Sequence, residues 1–241
     1  ANGIRPFMIQ LREIHAYVLQ KREASAEKAQ VIFFSQELGR LSIWVNFKTK
    51  DKMRACYEPF QPLWITLKID HVRMSIQSVE PEHPLNPLIG NGLWCGWYMN
   101  ELLMYVLCPH EANEQLYQAY QTTLKALSET TEQQVLQVIL RRFEWTLLQA
   151  LGLAISLEQE GTGKGCILAD KFYQCVPRLG LVEAETGFSG AMILSLAAGN
   201  WTHEGLLPVA KRMMRLLLDD ALEGREIKTR TLLRSMYAVE S

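Results

Sequence analysis

The sequence predicts an α+β fold: a small five-stranded barrel over residues 1–80, then a mainly α-helical domain over 81–241 carrying a small hairpin insertion at about 165–185. Three features carry this expectation. Apolar residues recur at every second position up to about residue 80, and with the 3.6-residue period of a helix beyond it. Pro81, Pro84 and Pro87 stand at the change, each removing a backbone donor and disfavouring helix at the residue before it.

The strand pattern is clearest in the middle of the first segment. Leu41, Ile43, Val45 and Phe47 fall on one side of an extended chain, with Ser42, Trp44 and Asn46 on the other. Leu63, Ile65, Leu67 and Ile69 oppose Trp64, Thr66, Lys68 and Asp70, and Val72, Met74 and Ile76 oppose Arg73, Ser75 and Gln77. Two further strands, around Ile14–Leu19 and Gln30–Ser35, are rich in the β-branched and aromatic residues that strands favour. Gln36 to Gly39 joins the second strand to the third as a hairpin in which Gly39 is free to take a positive φ. Five short strands with one apolar face each make a closed barrel economical, because closure removes exposed edges. Periodicity alone leaves the barrel type open between OB-like and SH3-like.

Beyond the prolines, Leu93, Trp97, Tyr98, Leu102 and Val106 describe one buried helix, and Leu116, Tyr120, Leu124 and Leu127 a second. Val135, Ile139, Phe143, Leu147 and Leu151 describe a third that stops at Gly152. A glycine-rich stretch, Gly161 to Gly165, leads to a small hairpin at Phe172–Val176 and Leu179–Glu183. Helices resume with Ser189 as the candidate N-cap of a segment to Ala198, then Leu206–Leu222 and Thr229–Tyr237.

Composition narrows the function classes. A chain of 241 residues with 48% hydrophobic residues builds real cores, and no apolar run reaches the ~18 to 20 residues that span a bilayer. The first residues lack a basic start followed by an apolar core, so a cytoplasmic protein without a secretory signal is expected. Five cysteines at irregular spacings fit a reducing compartment, with Cys95 and Cys108 in helical apolar patterns and expected in the core. The formal net charge of −1 hides an asymmetry: residues 1–80 carry a balance of +4, residues 81–205 one of −7, and residues 206–241 one of +2. Such a distribution points to parts with different tasks.

Enzymatic motifs are absent. The glycine-rich stretch at Gly161 lacks the spacing and the Ser or Thr after Lys164 that a phosphate loop needs. The histidines His15, His71, His83, His110 and His203 occur singly, and no GxSxG is present. No catalytic residue and no cofactor is expected.

Four segments in order, Tyr57–Leu63 (YEPFQPL), Gly96–Leu103 (GWYMNELL), Leu140–Gly152 (LRRFEWTLLQALG) and Gly224–Arg234 (GREIKTRTLLR), resemble the bacterial recombination mediator family RecO across nearly the whole chain. The resemblance implies an OB-fold for the barrel. It also implies a non-enzymatic, ATP-free mediator of DNA repair that binds single-stranded DNA, docks on the single-strand-binding protein SSB, works with RecR, anneals strands and promotes recombinase loading. The alternative is an adaptor whose barrel binds protein rather than DNA. Some members carry a four-cysteine zinc site in the region of Cys166 and Cys175. Only these two cysteines stand there, with no CxxC, so no metal is expected.

The candidate DNA contacts follow from residue type and place. Trp44 and Trp64 project from the outer side of their strands with Lys68 on the side of Trp64, and an aromatic among polar neighbours is a stacking platform for bases. The alternative is that both tryptophans pack against the helical domain. Lys48, Lys50, Lys52 and Arg54 follow the third strand in a loop suited to phosphates, though it lacks the glycine that RecO-like proteins usually carry there; the alternative is a solvated loop. Arg40 beside the hairpin, then Lys211, Arg215, Lys228, Arg230 and Arg234 near the C-terminus, are secondary DNA contacts. Arg141 and Arg142 lie on the third helix beside Leu140, Phe143 and Trp145, a cation next to an apolar groove. By resemblance they take the acidic SSB tail, whose end is an aromatic and a free carboxylate. The alternative is a pair within the helix with Glu144 or Gln137.

Overall fold

The computed structural model describes residues 9–47, 52–71, 73–163 and 165–232. The chain forms two compact units, one holding residues up to 129 together with the segment from 229 onward, the other residues 130–228.

The first unit is built on β1 (Gln10–Ser25), β2 (Lys28–Ser35), β3 (Gly39–Asn46), β4 (Pro62–Asp70) and β5 (Arg73–Pro81), with a short 3₁₀ helix at Lys52–Cys56 between β3 and β4. All neighbours are antiparallel in the order β3-β2-β1-β4-β5. β1 is long enough to serve two partners: Gln10–Tyr17 pairs with β4, and Ala16–Ser25 pairs with β2. This is the strand order of an OB-fold with β3 and β5 at its two ends, as the family resemblance implies. The sheet is not closed by a ladder; among the described residues β3 and β5 face one another across a cleft lined by side chains of both.

Alternation explains the interior. Ile14, Ala16, Val18, Val31, Phe33, Leu41, Ile43, Val45, Leu63, Ile65 and Leu67 point inward and are buried, with Phe47 and Tyr57 edge to face at 5.7 Å across one end. The Tyr57–Leu63 segment therefore belongs to the core: Tyr57, Phe60 and Leu63 are all buried.

Two helices, α1 (Gly90–Val106) and α2 (Glu114–Ser128), complete this unit. The alternation fails in β1 and β2 because both strand faces are buried there. Tyr17 and Phe34, on the outer face, meet Tyr117 and Tyr120 of α2 at centroid distances of 5.1 to 5.8 Å. Asn113 caps α2 by accepting the Leu116 N–H at 2.9 Å. The register of β1 on β2 slips at Leu19, and the Asn100 side chain of α1, 1% exposed, enters there. Its amide donates to the carbonyls of Leu19 at 3.0 Å and Val18 at 3.5 Å, and its oxygen accepts the Tyr120 hydroxyl at 2.6 Å. After α1 the chain lies against the start of β3: His110 N–H donates to the Arg40 carbonyl at 3.1 Å. Gly39 has φ +68°, and a Cβ there would strike the Glu111 carbonyl, so the hairpin glycine is required on both counts.

The second unit contains α3 (Gln133–Ala150), a three-stranded sheet of β6 (Phe172–Val176), β7 (Gly180–Ala184) and β8 (Phe188–Ser189) in the order β7-β6-β8, then α4 (Gly190–Ala197) and α5 (Leu206–Leu222). α3 lies against α5, and each buries apolar residues, among them Leu140 and Leu147 on α3 and Met214 and Leu217 on α5. Ser189 occupies the N-cap position of α4 but makes no side-chain capping bond. A last helical turn at 228–232 returns to the first unit, where Glu101 of α1 accepts both the N–H and the hydroxyl of Thr229 at 2.9 and 2.7 Å. Tyr237 lies outside the described residues. No helix among them is long and apolar enough to cross a membrane.

Replacing Asn100 by Leu strands two strand carbonyls and a tyrosine hydroxyl in a dry interior, and buried unsatisfied groups cost about 1–3 kcal/mol each. We expect Asn100→Leu to lower unfolding stability by about 3 kcal/mol or more, and Tyr120→Phe by about 1 kcal/mol, measured as shifts of the urea midpoint.

Candidate nucleic-acid interface

The cleft between β3 and β5 has a volume of about 630 Å³. Its β2–β3 wall presents Lys28, Ser42, Ile43, Trp44 and Asn46; the opposite wall presents Lys68, Asp70, Arg73, Met74 and Ser75; His110 closes one side from the loop after α1. Alternation places Ser42, Trp44 and Asn46 outward from β3, since Leu41, Ile43 and Val45 fill the core. Trp44 remains 51% exposed, with the Lys28 ammonium 4.8 Å from its ring centroid. Beside it the Gln30 amide donates to the Ser42 hydroxyl at 2.9 Å. Lys68 and Arg73 are exposed and make no ion pair among the described residues. Three cations and an open indole thus meet one carboxylate, Asp70. That combination attracts a polyanion and offers its bases a flat surface.

Of the residues expected from sequence, Trp44 and Lys68 come together in this cleft. Lys28, Arg73 and His110 join them without any local signal in the sequence, because they meet Trp44 only when β2, β5 and the α1–α2 loop are folded around it.

Trp64 stands elsewhere. It stacks on His15, its partner across β1–β4, at 5.8 Å and 30°, and remains 45% exposed. Glu80 is its partner on β5. His15 Nδ1 lies 2.6 Å from Glu82 Oε1, and this hydrogen bond raises the imidazole pKa above its ordinary 6.5 against the opposing effect of burial. Carboxylates therefore frame Trp64, whereas cations frame Trp44.

Arg54 is tied to the β1–β2 hairpin: it donates to the Ala26 carbonyl at 3.0 Å and to Glu23 at 2.7 Å, and lies over the Phe47 ring. Its proximity lowers the Glu23 pKa. Arg40 donates through Nε to the Leu107 carbonyl at the end of α1. Lys48, Lys50 and Arg234 lie outside the described residues, as does the side chain of Lys52. In the second unit Lys211 is exposed on α5, Arg215 lies 3.6 Å from Asp219, and Lys228 is exposed. In the first unit Arg230 packs on Tyr98, donating to its hydroxyl at 3.2 Å. Among the described residues of the first unit, Arg40, Arg54 and Arg230 do not line the cleft.

The arginine pair on α3 divides. Arg141 is only 7% exposed and binds Glu144 one turn on, Nη2 donating to Oε1 at 2.9 Å with Nε 2.7 Å from Oε2. This is the intrahelical pairing that the sequence left open, and it follows from placing a cation on the buried face, where it needs a counter-charge. Arg142 is exposed and unpaired among the described residues.

Cys175 is buried, which pushes its thiol pKa up to about 11, while Cys166 is exposed; Cys108, expected in the core, is exposed as well because it falls beyond the end of α1, and Cys95 is half-buried. Among the described residues no three His, Cys, Asp or Glu side chains cluster as a metal site would require.

A family model described as Recombination protein O C terminal matches residues 90–198. The chain is similar to a DNA repair protein RecO of Legionella pneumophila (strain Corby), with 31% identity over 92% of this chain and 97% of the relative. A DNA repair protein RecO of Stutzerimonas stutzeri (strain A1501) is 34% identical over 92% and 93% of the two chains. For one of Pseudomonas putida (strain GB-1) the values are 33%, 91% and 96%.

The raised His15 pKa has a definite sign. A group bound more tightly as its cation in the folded state contributes stability that is fully present below its unfolded pKa of about 6.5 and is lost as pH rises through the higher folded value. Urea midpoints of the native chain are expected to fall on raising the pH from 6 to 8 by more than those of His15→Gln or Glu82→Gln.

Proposed function

This chain belongs to the RecO family of DNA repair and recombination proteins, and on that premise we propose that it is an ATP-free mediator that holds single-stranded DNA in the cleft between β3 and β5. The observation that carries the proposal is the meeting of Trp44 with Lys28, Lys68 and Arg73 around one space. In the proposed mechanism, phosphates pair with the three cations and release their counterions, which supplies affinity without regard to sequence. A base stacks on Trp44, which favours a strand whose bases are free over a duplex whose bases are already stacked. The remaining basic side chains, Arg40, Arg54, Lys211, Arg215, Lys228 and Arg230, stand second to the cleft because several already hold parts of the fold. No step uses an enzymatic group.

In the same proposal residues 1–80 supply the strand-binding module, and residues 81–241 dock the acidic SSB tail, bringing the protein to coated DNA in the cytoplasm. RecR is the further partner, and release of SSB allows either annealing or recombinase loading. Arg142 is the contact for the tail carboxylates. Arg141, neutralised by Glu144, fixes the helical turn from which Arg142 projects. A buried cation already sharing a carboxylate has less to offer a second anion than an exposed and unpaired one.

Strand binding is tested by the anisotropy of labelled oligo-dT as salt is raised. Three phosphate contacts predict a log-log slope of about −2, because each contributes about 0.7 on single strands. Lys68→Met and Arg73→Met should each flatten the slope by about 0.7. Trp44→Ala should weaken binding by about 1–3 kcal/mol at every salt concentration. Affinity indifferent to salt and to all three substitutions would remove the cleft from the account.

The tail contact is tested by the annealing rate of complementary oligonucleotides coated with cognate SSB, without nucleotide. Arg142→Ala is expected to slow annealing of coated strands at least several-fold and to leave annealing of bare strands unchanged. Equal rates on coated strands would exclude Arg142 as the docking residue.

A further inference from the structure

The ammonium of Lys28 lies over the Trp44 ring at 4.8 Å, and both side chains line the same cleft. Lys28 therefore stands on a surface of the indole that faces the space a nucleic acid would enter. Among the described residues the indole is its side chain's only partner. The neighbouring polar groups on this wall are otherwise engaged, Gln30 with Ser42, and they offer Lys28 no carboxylate.

From this geometry we infer that Lys28 is an exchangeable cover of the Trp44 stacking surface: an incoming base displaces its ammonium from the indole, and the released ammonium pairs with a phosphate of the same strand. The inference rests on strand binding in the cleft as proposed above, and adds to it the order of events on one residue. Two physical points support the exchange. A cation over an exposed aromatic ring is held weakly, because water competes for the charge, and a stacked base covers the ring more completely. A lysine ammonium on a flexible four-carbon stem also reaches several positions without moving the backbone. Its Cα on β2 is fixed opposite Asn46 of β3, so it swings beside the cleft and stays within it.

The exchange has a functional sense. Without DNA, the cover keeps an exposed tryptophan from apolar partners. With a strand present, the same charge changes from a competitor for the ring into a contact for the backbone. A ligand with a base but no phosphate is penalised, since it displaces the ammonium and gives it no anion.

The test follows the lysine itself. Reductive methylation with ¹³C-formaldehyde keeps the charge and places a carbon label at each ammonium, and Lys28→Arg identifies the Lys28 resonance. In the free protein that resonance is expected upfield of the other lysines through the indole ring current, and at the ordinary position in Trp44→Leu. Saturation with a ten-residue oligo-dT should move it to the ordinary position, whereas thymidine without phosphate, at the same base concentration, should leave it largely in place. In parallel, Lys28→Met should flatten the salt slope for oligo-dT by about 0.7.

If the oligonucleotide binds by anisotropy but the resonance stays upfield, Lys28 is a fixed part of the platform and the inference is wrong. A Lys28 resonance at the ordinary position in the free protein overturns it as well. If no oligonucleotide binds at all, the strand-binding proposal fails and this inference fails with it, an outcome recognisable because anisotropy is then flat for the native chain.

Discussion

A single buried amide ties α1 and α2 to the central strand of the first unit. β1 is the strand shared by both halves of the sheet, and its register slips at Leu19, leaving carbonyls without ladder partners in a place that water does not reach. Asn100 supplies the missing donor, and Tyr120 satisfies the amide oxygen. The constraint is strict because it links three elements at once: the slip in β1, the rotation of α1 and the approach of α2. Once α1 is fixed, so is the loop that leaves it, which brings the Leu107 carbonyl to Arg40 and His110 to the mouth of the cleft. The position of one cleft wall is in this sense set by an asparagine on the far side of the sheet.

The barrel surface is electrically divided. Around Trp44 stand Lys28, Lys68 and Arg73; around Trp64 stand Glu80, Glu82 and a histidine whose proton Glu82 helps to hold. The two tryptophans look equivalent in the sequence, each a polar-side aromatic in an amphipathic strand. Their neighbours across the sheet make them different, with cations gathered about the first and carboxylates about the second.

That contrast also marks the limit of what the sequence shows. The period of two placed Leu41, Ile43 and Val45 inside and Trp44 outside, because β3 has one dry face and one wet one. It blurred in β1, where Ala16–Leu19 are buried on both faces, one toward the barrel core and one toward α2, and the strand runs beyond the expected Ile14–Leu19 through exposed ends that carry no buried apolar face. Gly39 was legible as a turn, while its collision with Glu111 was not, since that neighbour lies 72 positions away in sequence. Arg141 and Arg142 are adjacent in sequence and opposite in environment: a helix turns about 100° per residue, enough to bury one beside Glu144 and expose the other. The cleft itself was the least visible feature, because its walls come from four separated stretches of chain and no local pattern joins them.

The bond from Thr229 to Glu101 carries a consequence for how the protein is made. The first unit is interrupted at residue 129 and resumes at 229, so 99 residues of the second unit are synthesised before the segment that Glu101 holds. At a translation rate of about 5–20 residues per second, the wait is roughly 5 to 20 s. Throughout that interval the sheet and its two helices are complete in sequence and still lack their closing turn. A nascent first unit therefore faces the ribosome and its chaperones with one seam open, and the second unit has time to fold before that seam is sealed.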